Sequence, residues 1–224
     1  MGIDWSATGG MLSGIGTIGG ALAVGVTALL GRSALKDYQA QRQVERRMAH
    51  AEALLASAYQ LEMALDSIRS PMSTASELDA SRQDLEDRNQ LSGITKEKSD
   101  RFVQANVFYI RAKYFDEQFE EAVRLLPYAA AFFGKEVKDA LYSLIHNRHS
   151  VRVYADAYAQ SLGHDKDFDK KIQAGIWKGF GKVYGEDEIT DKTANSISVL
   201  EQNLFPIIRP ENKKRFQLRK NSNG

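Results

Sequence analysis

The feature that most constrains this sequence is a long stretch without charge near its beginning. No ionisable side chain occurs between Trp5 and Gly31, and nine of the 17 glycines of the chain lie in the first 31 residues. Residues 11–31, MLSGIGTIGGALAVGVTALLG, would form a helix about 31 Å long at about 1.5 Å per residue, which matches the hydrocarbon thickness of a bilayer. The segment predicts a transmembrane helix over 11–31, preceded by a short extracytoplasmic N-terminus over 1–10.

The same segment contains a G-x-G-x-x-G triplet at Gly14, Gly16 and Gly19, which is also found in dinucleotide-binding loops. Such a loop follows a β-strand inside a βαβ unit, and the preceding residues, MGIDWSATGGMLS, contain no run of β-branched or aromatic residues. We therefore favour a membrane helix over a nucleotide site. An interfacial hairpin, a buried helix and a cleaved signal also fit an apolar segment, but a signal is disfavoured because Asp4 is the only charged side chain before the apolar run.

The charges that follow the apolar segment predict its orientation. Cytoplasmic flanks of membrane helices carry an excess of Lys and Arg. A cytoplasmic-side basic anchor is predicted at Arg32, Lys36, Arg42, Arg46 and Arg47. This places the N-terminus outside and a helical domain over 32–210 in the cytoplasm.

Small residues recur at four-residue spacing in the predicted membrane helix. Such stripes let helix backbones approach closely in lipid. The residues predicted to pack against another membrane helix, from a second copy or a partner, are Ser13, Gly16, Thr17, Gly20, Ala21 and Gly25.

The absence of glycine and proline between Arg32 and Ser70 predicts that one helix continues from the membrane segment to about Ser70. An apolar stripe from Val44 to Ile68, stepping by three and four residues, predicts one buried face. Packing within the domain is favoured over a parallel coiled coil, because the heptads are few and one step breaks them.

The remainder is predicted to be helical as well. Thr74 and Glu77 match a capping box, followed by either a short surface helix or a mobile excursion ending at Gly93. Thr95 is predicted to cap a helix to Leu126, and Pro127 to open a short turn to Gly134.

Two further segments complete the fold prediction. A helix is predicted from Glu136 to Leu162, although the alternation in SVRVYADAY also permits a strand. Beyond it, FDKKIQAGIWKGF and residues 191–205 are predicted helices, the latter ended by Pro206. The fold class is therefore all-α, a single N-terminal transmembrane helix continuing into a cytoplasmic bundle of about five helices, with a basic disordered tail over 211–224.

Composition and motifs disfavour a catalytic, metal-binding or nucleic-acid-binding function. The chain has no cysteine, and its 30 basic residues nearly balance its 29 acidic ones, so charge does not point to nucleic acid. His146 and His149 lie one helical turn apart but lack further ligands at a known spacing. Asp165, Asp167 and Asp169 begin like a calcium loop, but the required glycine and the closing glutamate are absent. We predict no catalytic, cofactor or metal site, and no nucleic-acid partner.

Four stretches resemble an uncharacterised family of bacterial proteins with one N-terminal hydrophobic segment and an α-helical cytoplasmic remainder. The stretches are DWSATGGMLSGIGTIGG, LPYAAAFFGKEV, DFDKKIQAGIW and FPIIRPE. The resemblance covers most of the chain and implies a bacterial inner-membrane location, but it implies no activity. The expected function is a membrane-anchored, non-catalytic adaptor, sensor or accessory subunit whose partners are lipid and either other proteins or further copies of itself. The second hypothesis is an effector that oligomerises through its glycine-rich helix and permeabilises the bilayer.

Overall fold

The computed structural model describes residues 5–161, 166–179 and 187–209, with side chains described at Leu35 and from Tyr38 onward. These residues form seven helices and no strand, which confirms the all-α helical bundle. The helices are α1 (Trp5–Ile68), α2 (Ala75–Asp87), α3 (Lys96–Tyr114), α4 (Asp116–Phe133), α5 (Lys135–Gln160), α6 (Lys166–Ile176) and α7 (Glu188–Ile208).

The structure does not support the predicted transmembrane helix. Among the residues described with their side chains, no helix is both long enough and apolar enough to cross a membrane. The side chains of residues 11–31 lie outside that set, as does the predicted tail over 211–224.

Helix α1 runs without interruption from Trp5 to Ile68, so the prediction of one helix to about Ser70 is confirmed. The chain divides into two compact units, Met1–Arg47 and Met48–Gly224. Within the second unit, the predicted apolar stripe is buried from Ala51 to Ile68, which confirms packing within the domain. The prediction was wrong at Val44, which is 65% exposed.

Helix α2 begins with the predicted capping box. The Glu77 backbone N–H donates to Thr74 Oγ1, and the Thr74 backbone N–H donates to Glu77 Oε2. The buried Arg111 guanidinium also donates to both carboxylate oxygens of Glu77, at 2.8 and 3.0 Å. These hydrogen bonds, those of Arg111 first, lower the pKa of Glu77 from 4.5 to about 2 although burial works in the opposite direction.

We expect Glu77→Gln to lower the free energy of unfolding at pH 7 by about 1–3 kcal/mol, since it removes a charge-assisted pair from a buried arginine. The folded-state pKa is depressed, so the stabilisation is complete above about pH 4.5 and is lost as the pH falls towards about 2. Chemical denaturation should therefore show a smaller difference between wild type and variant at pH 2.5 than at pH 7. Glu120→Gln, in an exposed i,i+4 pair with Arg124, is the control. An equal difference at both pH values would contradict the assigned role of the Glu77 charge.

The predicted helix from Thr95 to Leu126 is in fact two helices. Phe115, with φ −110° and ψ 11°, separates α3 from α4, and the break carries neither glycine nor proline. A separate helical turn opening at Pro127 was predicted, but Pro127 lies inside α4, whose C-cap is Gly134 as expected. The predicted helix end at Pro206 was wrong, because this proline also lies inside a helix. Proline removes the hydrogen bond to the residue four positions earlier, and in both helices that residue, Val123 or Gln202, is exposed.

Helix α5 is the centre of the bundle and packs against α3, α4, α6 and α7. The apolar residues that recur on one face of α5 are buried: Val137, Leu141, Leu144, Val151, Ala155 and Tyr158. The strand interpretation of SVRVYADAY was wrong, since these residues are helical. Helix α6 approaches α5 closely at Gly175, where an added Cβ would lie 2.5 Å from the Tyr154 ring. Any larger residue at position 175 would therefore force α6 away from α5.

The end of α6 is joined to the core through Trp177, whose ring lies 6.1 Å from Phe108 and 5.2 Å from Tyr158. The Trp177 side chain thus packs against the core. The final helix begins three residues before the predicted Asp191, because Asp187 caps it by accepting the Thr190 backbone N–H at 3.0 Å.

Candidate functional site

A cleft of about 690 Å³ lies where α3, α4 and α5 meet. Both α3 and α4 pack against α5, and the break at Phe115 separates these two helices. The apolar lining consists of Ile68, Phe108, Ala112, Phe119, Val123, Ile145, Val151 and Ala155. Pockets of this size with an apolar lining and a few polar groups are typical ligand sites.

One edge of the cleft carries an ion pair set against an aromatic ring. The Arg148 guanidinium of α5 donates to Asp116 at the start of α4. The same guanidinium lies 4.7 Å from the centre of the buried Phe119 ring, a distance at which a cation–π interaction is favourable. Arg148 is therefore held in place, with its charge balanced by Asp116.

A second polar group spans α3 and α5 at Tyr109. The Tyr109 hydroxyl donates to Asp156, and Arg152 lies 5.6 Å from the Tyr109 ring centre. Burial first, and then the hydrogen bond and the negative charge of Asp156, raise the pKa of Tyr109 to about 12. Tyr109 therefore remains a neutral donor at physiological pH and does not act as a base.

The charges lining the cleft are predominantly basic. The cationic side chains are Lys113, Arg124, Arg148 and Arg152, and the carboxylates are Asp116 and Glu120. Glu120 pairs with Arg124 at 3.4 Å and Asp116 with Arg148. Across residues 5–161, 166–179 and 187–209, neither Lys113 nor Arg152 forms an ion pair with a carboxylate. The cleft thus combines an apolar interior with an excess of cationic over anionic side chains in its lining.

The predicted histidine pair lies beside this cleft. His149 lines it, and the rings of His146 and His149 are 5.4 Å apart on an exposed face of α5. Tyr142 stacks on His146 at 5.9 Å. In the part of the chain that the structure describes, no three His, Asp or Glu side chains are grouped to hold a metal ion.

The acidic cluster after α5 has a structural role where it is described. The buried Asp169 accepts hydrogen bonds from Ser161 and from Arg101, the latter at 3.2 Å. Burial opposes its charge, but these hydrogen bonds and the charge of Arg101 lower its pKa. Asp167 pairs with Lys170, and Asp165 lies outside the described residues.

The predicted membrane-helix packing residues cannot be compared with the structure side chain by side chain. Ser13, Gly16, Thr17, Gly20, Ala21 and Gly25 lie on the α1 backbone, but their side chains are outside the described set, as are those of Arg32 and Lys36. Arg42, Arg46 and Arg47 are exposed on α1. Arg42 lies 5.0 Å from the Tyr38 ring centre.

The cleft was missed in the sequence because its residues come from separate helices. Asn147, next to Arg148 in the sequence, is buried and donates to Thr193 Oγ1 at 3.0 Å, so the HNRH stretch does not form one exposed polar face. The spacing of Tyr109 and Lys113 on α3, and of Arg148 and Arg152 on α5, is four residues in each case. These pairs mark one polar strip on each helix, which was the only sequence signal of the cleft.

Comparison of the chain with protein-family models, with curated proteins and with solved structures finds no match. The resemblance to an uncharacterised bacterial family therefore stays an expectation drawn from the sequence.

Proposed function

We propose that this protein is a membrane-anchored, non-catalytic adaptor, sensor or accessory subunit of a bacterial inner-membrane assembly. Residues 11–31 insert into the bilayer with the N-terminus outside, and the helical unit lies in the cytoplasm. Its partners are membrane lipid and either other proteins or further copies of the chain, not nucleic acid.

The single observation that carries this proposal is the continuity of α1. One helix joins the uncharged segment that begins after Asp4 to the buried stripe ending at Ile68. A helix transmits displacement along its axis without a hinge when no glycine or proline interrupts it, and none occurs from Arg32 to Ser70. A displacement of the helix in the bilayer would then reach the bundle through α1, because the C-terminal part of α1 lies in the bundle core.

The basic residues after Gly31 support the proposed orientation. Arg42, Arg46 and Arg47 are exposed, and a basic residue near an anionic membrane surface contributes about 1 kcal/mol. At about 1.5 Å per residue, Arg32 and Lys36 lie within about 8 Å of Gly31 and would reach the headgroups, whereas Arg42, Arg46 and Arg47 lie about 16–24 Å beyond it and add to the cytoplasmic excess of basic residues.

Membrane fractionation followed by a leakage assay tests the proposal. We expect the full-length chain to remain in the membrane pellet after carbonate washing, to be released by detergent, and to leave dye inside reconstituted vesicles. A chain found in the supernatant without detergent would refute the anchor.

The four-residue stripes of small side chains favour one rival, a membrane-permeabilising effector. Dye release from the vesicles that is abolished by Gly16→Leu or Gly20→Leu would establish the effector and reject the adaptor. Those substitutions enlarge the side chains that would face a second helix while leaving residues 11–31 apolar, so insertion itself should be retained.

A further inference from the structure

We propose that the α3–α4–α5 cleft binds an anionic amphiphile, a single alkyl chain with a phosphate or carboxylate headgroup. This inference goes beyond the adaptor function and does not depend on it, because all residues of the cleft belong to the second unit, Met48–Gly224.

The interior of the cleft suits an alkyl chain. Its apolar residues come from α1, α3, α4 and α5, among them Ile68, Phe108, Val123 and Ile145. Burying the apolar surface of a ligand against such a lining favours binding. The volume of about 690 Å³ is within the usual range for a small-molecule site.

The charges of the cleft select a negative headgroup. Both lining carboxylates, Asp116 and Glu120, are already paired with arginines. Lys113 and Arg152 are the cations left over. They share one neighbourhood, because Arg152 lies over the Tyr109 ring and Lys113 follows Tyr109 by one helical turn on the same face of α3. Asp156, which accepts the Tyr109 hydroxyl, keeps its negative charge but is not among the residues that line the cleft, where four cationic side chains face two carboxylates.

A single headgroup fits this arrangement better than a docked helix. A stable protein interface covers about 800 Å² on each partner, and a helix in a groove needs anchor pockets over several turns. Here one bounded cleft is lined by both Lys113 and Arg152, neither of which is in an ion pair among the described residues, and their charges suit one phosphate or carboxylate.

A titration of the full-length chain in zwitterionic nanodiscs tests the proposal. Trp177 reports on the cleft because its ring packs against Phe108, which lines it, and Trp5→Phe removes the other tryptophan. We expect saturable binding of octyl phosphate and of octyl-chain carboxylate, with empty nanodiscs as the partition control; their relative affinity identifies the headgroup. Octanol, which lacks the charge, and inorganic phosphate, which lacks the alkyl chain, should each bind at least tenfold more weakly than octyl phosphate.

Substitutions provide the matched controls. Lys113→Gln with Arg152→Gln should weaken octyl phosphate binding about tenfold, and both residues are exposed, so folding should be retained. Val123→Glu should weaken it by at least the same factor, since it places a carboxylate in the apolar lining. Val153→Glu should leave it unchanged: the two valines are 48% and 51% exposed, and only Val123 lines the cleft.

Three results would overturn the proposal. Equal affinity for octanol and octyl phosphate would remove the role of the cations. Unchanged binding in the Lys113 and Arg152 double variant would place the ligand elsewhere. Binding of an acidic amphipathic peptide that Val123→Glu weakens, by a chain that does not bind octyl phosphate, would show that the cleft is a protein-docking groove.

Discussion

Replacing Arg69 with methionine should lower the free energy of unfolding of the helical unit by about 3–5 kcal/mol, the cost of removing one partner from a buried ion pair. Arg69 is 2% exposed and follows the last residue of α1. Its guanidinium donates to Asp187 Oδ1 at 2.7 Å, to Thr190 Oγ1 at 2.9 Å and to the Ala174 carbonyl at 3.1 Å. One side chain therefore joins α1 to the end of α6 and the start of α7.

The cost arises mainly from the groups that Arg69→Met would leave behind. Asp187 would remain as an uncompensated charge at 11% exposure, and the Ala174 carbonyl would lose its donor. Burial works against the charge of Asp187, but hydrogen bonds from Thr190 and Arg69 outweigh it and lower its pKa. Adding Asp187→Asn to Arg69→Met should recover part of the lost stability, since the asparagine can still cap α7.

Denaturation followed by Trp177 fluorescence in the Trp5→Phe background measures this effect. The control is the Lys178–Asp66 pair, which joins the same region to α1 but is 42% and 43% exposed. Lys178→Ala should cost at most about 1 kcal/mol, as is typical of surface ion pairs. A similar small loss for Arg69→Met would mean that the buried network does not hold these three helices together.

The second large effect is expected in the proposed anchor. Ala21→Arg combined with Ala23→Arg should move most of the chain from the membrane pellet to the supernatant. Each arginine near the centre of a membrane helix costs about 2.5–3.5 kcal/mol on insertion scales, and glycine, serine and threonine already make this segment only moderately apolar.

Ala130→Arg with Ala131→Arg is the matched control for the anchor. Both alanines are exposed on α4, so the same added charge should leave the chain in the membrane fraction. If the double variant at positions 21 and 23 still sediments with membranes after a carbonate wash, residues 11–31 are not the anchor.

Features set by neighbouring residues were predictable from the sequence. The capping box at Thr74 and Glu77, the cap at Thr95 and the buried stripe of α1 from Ala51 each depend on side chains within a few positions. The inward face of α5 was predictable for the same reason, since its apolar residues repeat with the helical period.

Features set by distant residues were not predictable. The break at Phe115 contains no glycine or proline. It lies four residues before Phe119, whose side chain is buried in the core with the Arg148 guanidinium over its ring. Pro127 and Pro206 were misinterpreted as helix boundaries because their local effect is disruptive, while tertiary packing keeps α4 and α7 intact. The burial of Arg69 is invisible locally, since its partners Ala174, Asp187 and Thr190 lie more than 100 residues away.

Cysteine labelling tests the central claim, that α1 links the bilayer to the helical unit, most directly. The chain contains no cysteine, so Ser6→Cys and Tyr142→Cys each introduce one thiol, the latter at a 53% exposed position on α5. In intact spheroplasts, a membrane-impermeant maleimide should label Ser6→Cys and should label Tyr142→Cys only after lysis. Equal labelling of both positions in intact spheroplasts, or protection of both until lysis, would contradict the account.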